Sequence, residues 1–203
     1  MSSYQATTWR PPLVQQALHL AKTLEFSASC SPEVGRLLYV LTAQLHHGCI
    51  AEIGSGCGVG AAWIVSALAP TATFVTIEAD RQRAVATQDL FTPYPNVRVL
   101  HGDWPAILDY APFALLFADG GKAKEREPER LLDALQAGGI LILDDLTPEA
   151  HWTPEQRAMW SPDPTRSFWL NDERVAATEL LVNPTSAVIL ATRLTDGANR
   201  ADG

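Results

Sequence analysis

The run Ala51-Glu52-Ile53-Gly54-Ser55-Gly56-Cys57-Gly58-Val59-Gly60 places an acid near the end of an apolar stretch, then a glycine at every second position. A second apolar stretch, residues 61–68, follows at once. The order reads as strand, tight turn and helix. In that arrangement a nucleotide rests against exposed backbone amides at the start of the helix. Gly56-Cys57-Gly58-Val59-Gly60-Ala61 also satisfies the G-x-G-x-x-A form of the dinucleotide fingerprint. The turn alone therefore leaves the kind of nucleotide open.

The acids further along narrow the choice. Thr73-Phe74-Val75-Thr76-Ile77 ends in Glu78, about 20 residues past the glycines, where an open α/β sheet offers a carboxylate to ribose hydroxyls. Val97-Arg98-Val99-Leu100 leads to Asp103 and Trp104, Phe113–Ala118 leads to Asp119, and Gly139–Leu143 leads to Asp144 and Asp145. With Glu52, each of five apolar runs carries an acid at or just past its end. That edge of a parallel sheet is where ligands bind. An acid in such a place also caps the helix that follows it, so no single one decides the matter.

Taken together these stretches resemble the class I S-adenosylmethionine-dependent methyltransferases, within them the catechol O-methyltransferase-like group. The resemblance runs from about Ser29 to Arg193. Ser31-Pro32-Glu33-Val34-Gly35-Arg36-Leu37-Leu38 is similar to the helix start that precedes the group's glycine motif. Asp119-Gly120-Gly121-Lys122 resembles its D-x-x-K motif, and Gly138-Gly139 with the strand to Asp144-Asp145 resembles its motif of two glycines, a strand, an acid and an amide.

The resemblance implies a doubly wound α/β fold, a mostly parallel seven-stranded sheet closed by a terminal antiparallel hairpin. It implies S-adenosylmethionine held by Glu52, Gly54, Ser55, Gly56, Gly58, Glu78, Asp103, Trp104 and Asp119. It implies Asp119, Asp144 and Asp145 as hard oxygen ligands for Mg²⁺ or another divalent cation, and Lys122 as general base with Asp119 beside it. A lysine beside a cation and partly buried has its pKa drawn toward neutrality. The expected reaction moves a methyl group to a hydroxyl of a small aromatic, catechol-like molecule.

Three positions depart from the group's pattern. Asp145 stands where an amide is usual, Gly60 where a serine is frequent, and Glu125 where an aromatic follows the D-x-x-K motif. They bear on the metal and the acceptor more than on the cofactor. Two other functions stay open at this point. One is a nicotinamide-dependent oxidoreductase sharing the glycine turn and Glu78. The other is a protein of the same fold that binds the cofactor without catalysis.

The elements that position these residues alternate. Pro11 and Pro12 open a first amphipathic helix carrying Leu13, Ala17, Leu20, Ala21 and Leu24, and a second runs over residues 32–46. Asp80 caps a helix through Phe91, and residues 125–136 form another before the turn at 137–139. Residues 147–165 hold four prolines with Trp152 and Trp160, in the place of a substrate-determining segment. A short helix over 166–172 and strands over 179–182 and 187–192, joined by Asn183-Pro184-Thr185-Ser186, complete the pattern. Trp104, Trp152, Trp160 and Trp169 could each stack on adenine or an acceptor. Core packing is the commoner use of such a side chain.

The 203 residues suit one domain, read as residues 1–194 with a frayed tail at 195–203. A net charge of −8 without a basic run speaks against a nucleic-acid substrate. No stretch has the apolar length to span a membrane, and the N-terminus lacks a signal peptide's order. Three cysteines, Cys30, Cys49 and Cys57, read as reduced thiols. A cytoplasmic enzyme with a small-molecule acceptor, working as a homodimer, is the expectation. His46-His47-Gly48-Cys49 reads as a helix end rather than a metal site.

Overall fold

The computed structural model describes residues 9–120 and 123–195. Strands β1 (Gly48–Ile53), β2 (Ala72–Glu78), β3 (Val97–His101), β4 (Phe113–Ala118), β5 (Leu135–Leu146), β6 (Val175–Asn183) and β7 (Ser186–Arg193) form one sheet in the order β3-β2-β1-β4-β5-β7-β6. The first five run parallel; β7 pairs antiparallel with both β5 and β6. The doubly wound sheet and its closing hairpin are as expected. The sequence order reverses beside β1, which opens a crevice at the carboxyl ends of β1, β2 and β4.

Period-two alternation builds both faces. Ile50, Phe74, Leu115, Ile142 and Val188 pack on one side with helices α1 (Pro12–Thr23), α2 (Pro32–Ala43), α3 (Val59–Ala67) and α4 (Arg81–Phe91). Their neighbours Ala51, Val75, Leu116, Leu143 and Ile189 pack on the other. That layer holds α5 (Ala123–Arg126), α6 (Pro128–Asp133) and α8 (Pro164–Asn171), with α7 (Pro154–Trp160) outside it. Because both faces are covered, the strands read as near-continuous apolar runs.

Element ends follow local chemistry. Asp80 accepts from the Arg83 amide at 2.9 Å and starts α4, as its sequence position predicts. The second helix stops at Ala43, three residues short of the expected end. The helix expected over 125–136 is two short helices instead. Pro128 has no amide to donate, so the first stops before it and the second begins on it. Gln136 lies in β5. The terminal strands are longer than expected, and Asn183 Oδ1 accepts from the Thr185 amide at 2.9 Å in the turn between them.

Residues 196–203 of the expected tail lie outside the described residues, as do Gly121 and Lys122. The three cysteines are free thiols. Among the described residues, no helix is long and apolar enough to cross a membrane.

Candidate active site

The ends of three strands are stitched together below the crevice. The Ile53 carbonyl accepts from the amides of Asp119 at 3.1 Å and Gly120 at 2.8 Å, and the Gly54 amide donates to the Ile77 carbonyl at 2.9 Å. This brings Gly54 against the backbone of Gly120. A Cβ on Gly54 would lie 2.6 Å from the Gly120 Cα, and its φ of +90° is one that side chains avoid. The turn therefore requires glycine here for both space and conformation.

A cavity of about 550 Å³ opens over this turn, within the usual range for a small-molecule site. Gly54, Gly56, Glu78, Asp103, Trp104 and Asp119, all candidates from the sequence, line it. The Glu78 carboxylate accepts from the Gly56 amide at 2.8 Å and the Asp80 amide at 2.9 Å, and pairs with Arg83 at 2.8 Å. It is buried, so this network fixes its orientation at the edge of the cavity. Asp103 is exposed and its side chain does not cap the helical turn that follows. Trp104 is half-buried, with the Arg130 guanidinium 5.1 Å from its ring.

Glu52, Ser55 and Gly58 are not among the residues lining this cavity. Strand alternation turns Ile53 to the cavity and Glu52 to the α3 face. There Glu52 accepts from the Thr76 hydroxyl at 2.6 Å, across from it on β2. Burial pushes its carboxyl from 4.5 to about 8, against the Thr76 hydrogen bond that favours the charged form. A Cβ at position 60 would stand 2.4 Å from its Oε1. Gly60, where the resembled group often has serine, makes room for that carboxylate.

Asp119, Asp144 and Asp145 converge, each offering a carboxylate oxygen within 4.8 Å of the others. The antiparallel register of β5 with β7 slips between Leu143 and Leu146, and the resulting bulge carries Asp144 and Asp145. Such irregularities re-aim side chains. Asp145 takes a left-handed φ of 60°, a region Asp enters more readily than most residues. Burial first, and then Asp144 and Asp145, push the Asp119 carboxyl well above its ordinary range. Burial likewise raises Asp144 to about 6. The donor set is hard, oxygen-only and anionic, which fits Mg²⁺ or a similar cation.

Two smaller chambers adjoin the cavity, and Asp145 lines all three. One, of about 290 Å³, lies among Lys124, Trp152, Trp160, Thr165 and Arg166. Arg166 ties its wall together, bonding Asp163 at 2.6 Å, both Glu179 oxygens at 2.8 Å and the Thr147 carbonyl at 2.9 Å. Trp152 donates to that same carbonyl at 3.0 Å and meets Trp160 edge-on at 5.8 Å. Trp169 is fully buried in the core and lines none of these three chambers. The other chamber, about 260 Å³, lies beside Cys30, Ser31, Asn183 and Ser186. Burial and the nearby acids push the Cys30 thiol well up.

Several lining residues carry no signal in the sequence. Phe26 packs where a side chain on Gly56 would fall, and Arg83 stacks 5.0 Å above its ring. Lys124 is buried against the acidic centre, although it looks like one member of a surface charge run.

Residues 51–146 match the family model described as "Methyltransferase domain". Over 100 residues the chain is 31% identical to a precorrin-6Y C(5,15)-methyltransferase [decarboxylating] from Sinorhizobium sp, which covers 47% of this chain. The chain spans about a quarter (24%) of that curated relative's length. Among solved structures, an O-methyltransferase from Bacillus cereus in complex with SAH superposes with a TM-score of 0.77 at 19% identity, covering 93% of each chain. TomG from Streptomyces achromogenes, an O-methyltransferase involved in tomaymycin synthesis and solved with SAM, gives 0.74 at 20% identity over 94% of this chain and 93% of its own. PaMTH1, an SAH-bound methyltransferase from Podospora anserina, gives 0.72 at 19% over 94% and 91%. Residues 51–146 thus match a methyltransferase domain model, and the chain as a whole shares the seven-stranded α/β fold of these solved methyltransferases.

Proposed function

We propose that this chain is an S-adenosylmethionine-dependent O-methyltransferase acting on a hydroxyl of a small aromatic molecule, with a divalent cation at Asp119, Asp144 and Asp145. The observation that carries the reading is the position of that acidic centre. It sits at the junction of the crevice cavity and a chamber walled by two tryptophans.

In this reading Glu78, already aimed by Gly56, Asp80 and Arg83, accepts from the ribose hydroxyls. Asp103 accepts from the adenine amino group, and Trp104 flanks the base. Glu78, Asp103, Asp119, Glu127 and Asp145 outweigh Arg83 and Arg126 along the wall, which suits a cationic ligand. When bound, S-adenosylmethionine supplies a methyl group on a positive sulfur, and the cation supplies Lewis acidity at the acceptor's oxygens. Trp152 and Trp160 offer an aromatic wall that orients a flat acceptor. Orientation of this kind accounts for several kcal/mol of a displacement barrier. The acceptor's O–H proton leaves to a base of this chain, and Lys122 is proposed for that step from its place three residues after Asp119. A single domain over residues 1–194, working in the cytoplasm as a homodimer, belongs to the same proposal.

Calorimetry with S-adenosylhomocysteine and with NAD tests the cofactor. Binding of the first and not the second is expected, and the reverse would make the chain a nicotinamide enzyme. Turnover of a catechol panel with Mg²⁺, lost in Lys122→Ala while S-adenosylhomocysteine still binds, tests the reaction. Cofactor binding with no turnover of any hydroxylated acceptor would mark a binding protein instead.

A further inference from the structure

Lys124 is 8% exposed, and its Nζ donates to the Asp144 main-chain carbonyl. The amide of that same peptide, Asp145 N–H, donates to the Asp144 carboxylate at 2.8 Å. The Asp144–Asp145 peptide is therefore held at both ends, immediately before the left-handed turn at Asp145. Lys124 stands five residues past Asp119, outside the D-x-x-K spacing.

We propose that Lys124 is a positioning residue of the acidic centre: a buried resident cation, fixed on the Asp144 main-chain carbonyl, that competes with the divalent ion for the charge of the centre. This rests on the reading that Asp119, Asp144 and Asp145 take a divalent cation. The magnitudes favour competition. A buried ammonium on the main chain of a ligand residue offsets part of the potential a divalent ion would feel, and at an intermediate effective dielectric that repulsion is worth kilocalories at short range. A lysine serving only as a backbone clamp has the opposite signature, because removing it would loosen the ligands and weaken metal binding.

The experiment is Mn²⁺ calorimetry on the full chain, comparing the parent with K124Q and K124R. K124Q is expected to bind Mn²⁺ about ten-fold tighter, the equivalent of one unit of differential interaction. K124R, which keeps the charge, is expected to stay within about three-fold of the parent. Mn²⁺ affinity equal to or weaker than the parent's in K124Q overturns the proposal. A second measurement needs no metal. In excess chelator at pH 8, the loss of melting temperature caused by K124Q is expected to shrink in a D144N background, since that charge no longer needs its partner. Additive losses overturn the proposal. If no variant and no parent binds Mn²⁺, the cation reading of the centre has failed, and the melting cycle still decides for or against Lys124. If K124Q alone does not fold, K124Q/D144N is expected to fold, and its failure overturns the proposal as well.

Discussion

Glu52 was legible in the sequence as an acid at a strand end, but its side of the sheet was not. One step along the strand separates a residue facing the crevice from one facing a helix. Its carboxyl titrates near 8 rather than 4.5, so the folded chain keeps a proton that the unfolded chain gives up. Stability from this group is full below about pH 4.5 and is lost as pH rises through 8, at up to about 1.4 kcal/mol per pH unit. Glu52→Gln is expected to remove that slope in urea titrations between pH 5 and 8; an unchanged slope would assign it to other groups. Glu78, by contrast, was legible in position, because a carboxylate about 20 residues past the glycines has a fixed place in such sheets. Glu78→Ala is expected to weaken S-adenosylhomocysteine binding by roughly ten- to a hundred-fold, from charge-assisted bonds worth about 1.5–3 kcal/mol each. Unchanged affinity in a folded variant would remove the ribose assignment. Phe26, Arg83 and Lys124 were illegible because tertiary packing alone brings them to the wall.

At the scale of elements, the turn after β1 is held by backbone fit rather than by side chains. Gly54→Ala is expected to destabilise the fold by about 2–5 kcal/mol, combining a disfavoured φ with a collision against the Gly120 backbone. A urea midpoint matching the parent's would show that the β1 and β4 ends can separate without cost. The strands, the crevice and the closing hairpin could be read from apolar runs and turn residues, since period and punctuation are local. The break between α5 and α6 was less visible, although Pro128 marks it. A proline fits the first turn of a helix as well as it ends one, and only the backbone bond left unmade before it separates the cases. The bulge that aims Asp144 and Asp145 depends on the β7 register, which no local pattern encodes.

For the molecule as a whole, the raised carboxyls link metal, protons and stability. Asp119 and Asp144 hold protons in the folded state at pH values where the unfolded chain has lost them. Metal-free stability should therefore fall as pH rises from about 4 toward 8, and a bound cation should displace those protons. Mg²⁺ affinity is expected to rise over the same window, with proton release seen by calorimetry in buffers of different ionisation enthalpy. Affinity independent of pH would place the ion elsewhere, and full methyl transfer in excess EDTA would remove it from the reaction. One more consequence follows from Asp145, the residue common to the walls of all three chambers. A shared wall makes each occupant part of the others' surroundings, through Asp145 in every case and through Asp119 as well between the main cavity and the chamber beside Cys30. By reciprocity, whatever one guest does to the grip on a second, the second does equally to the first.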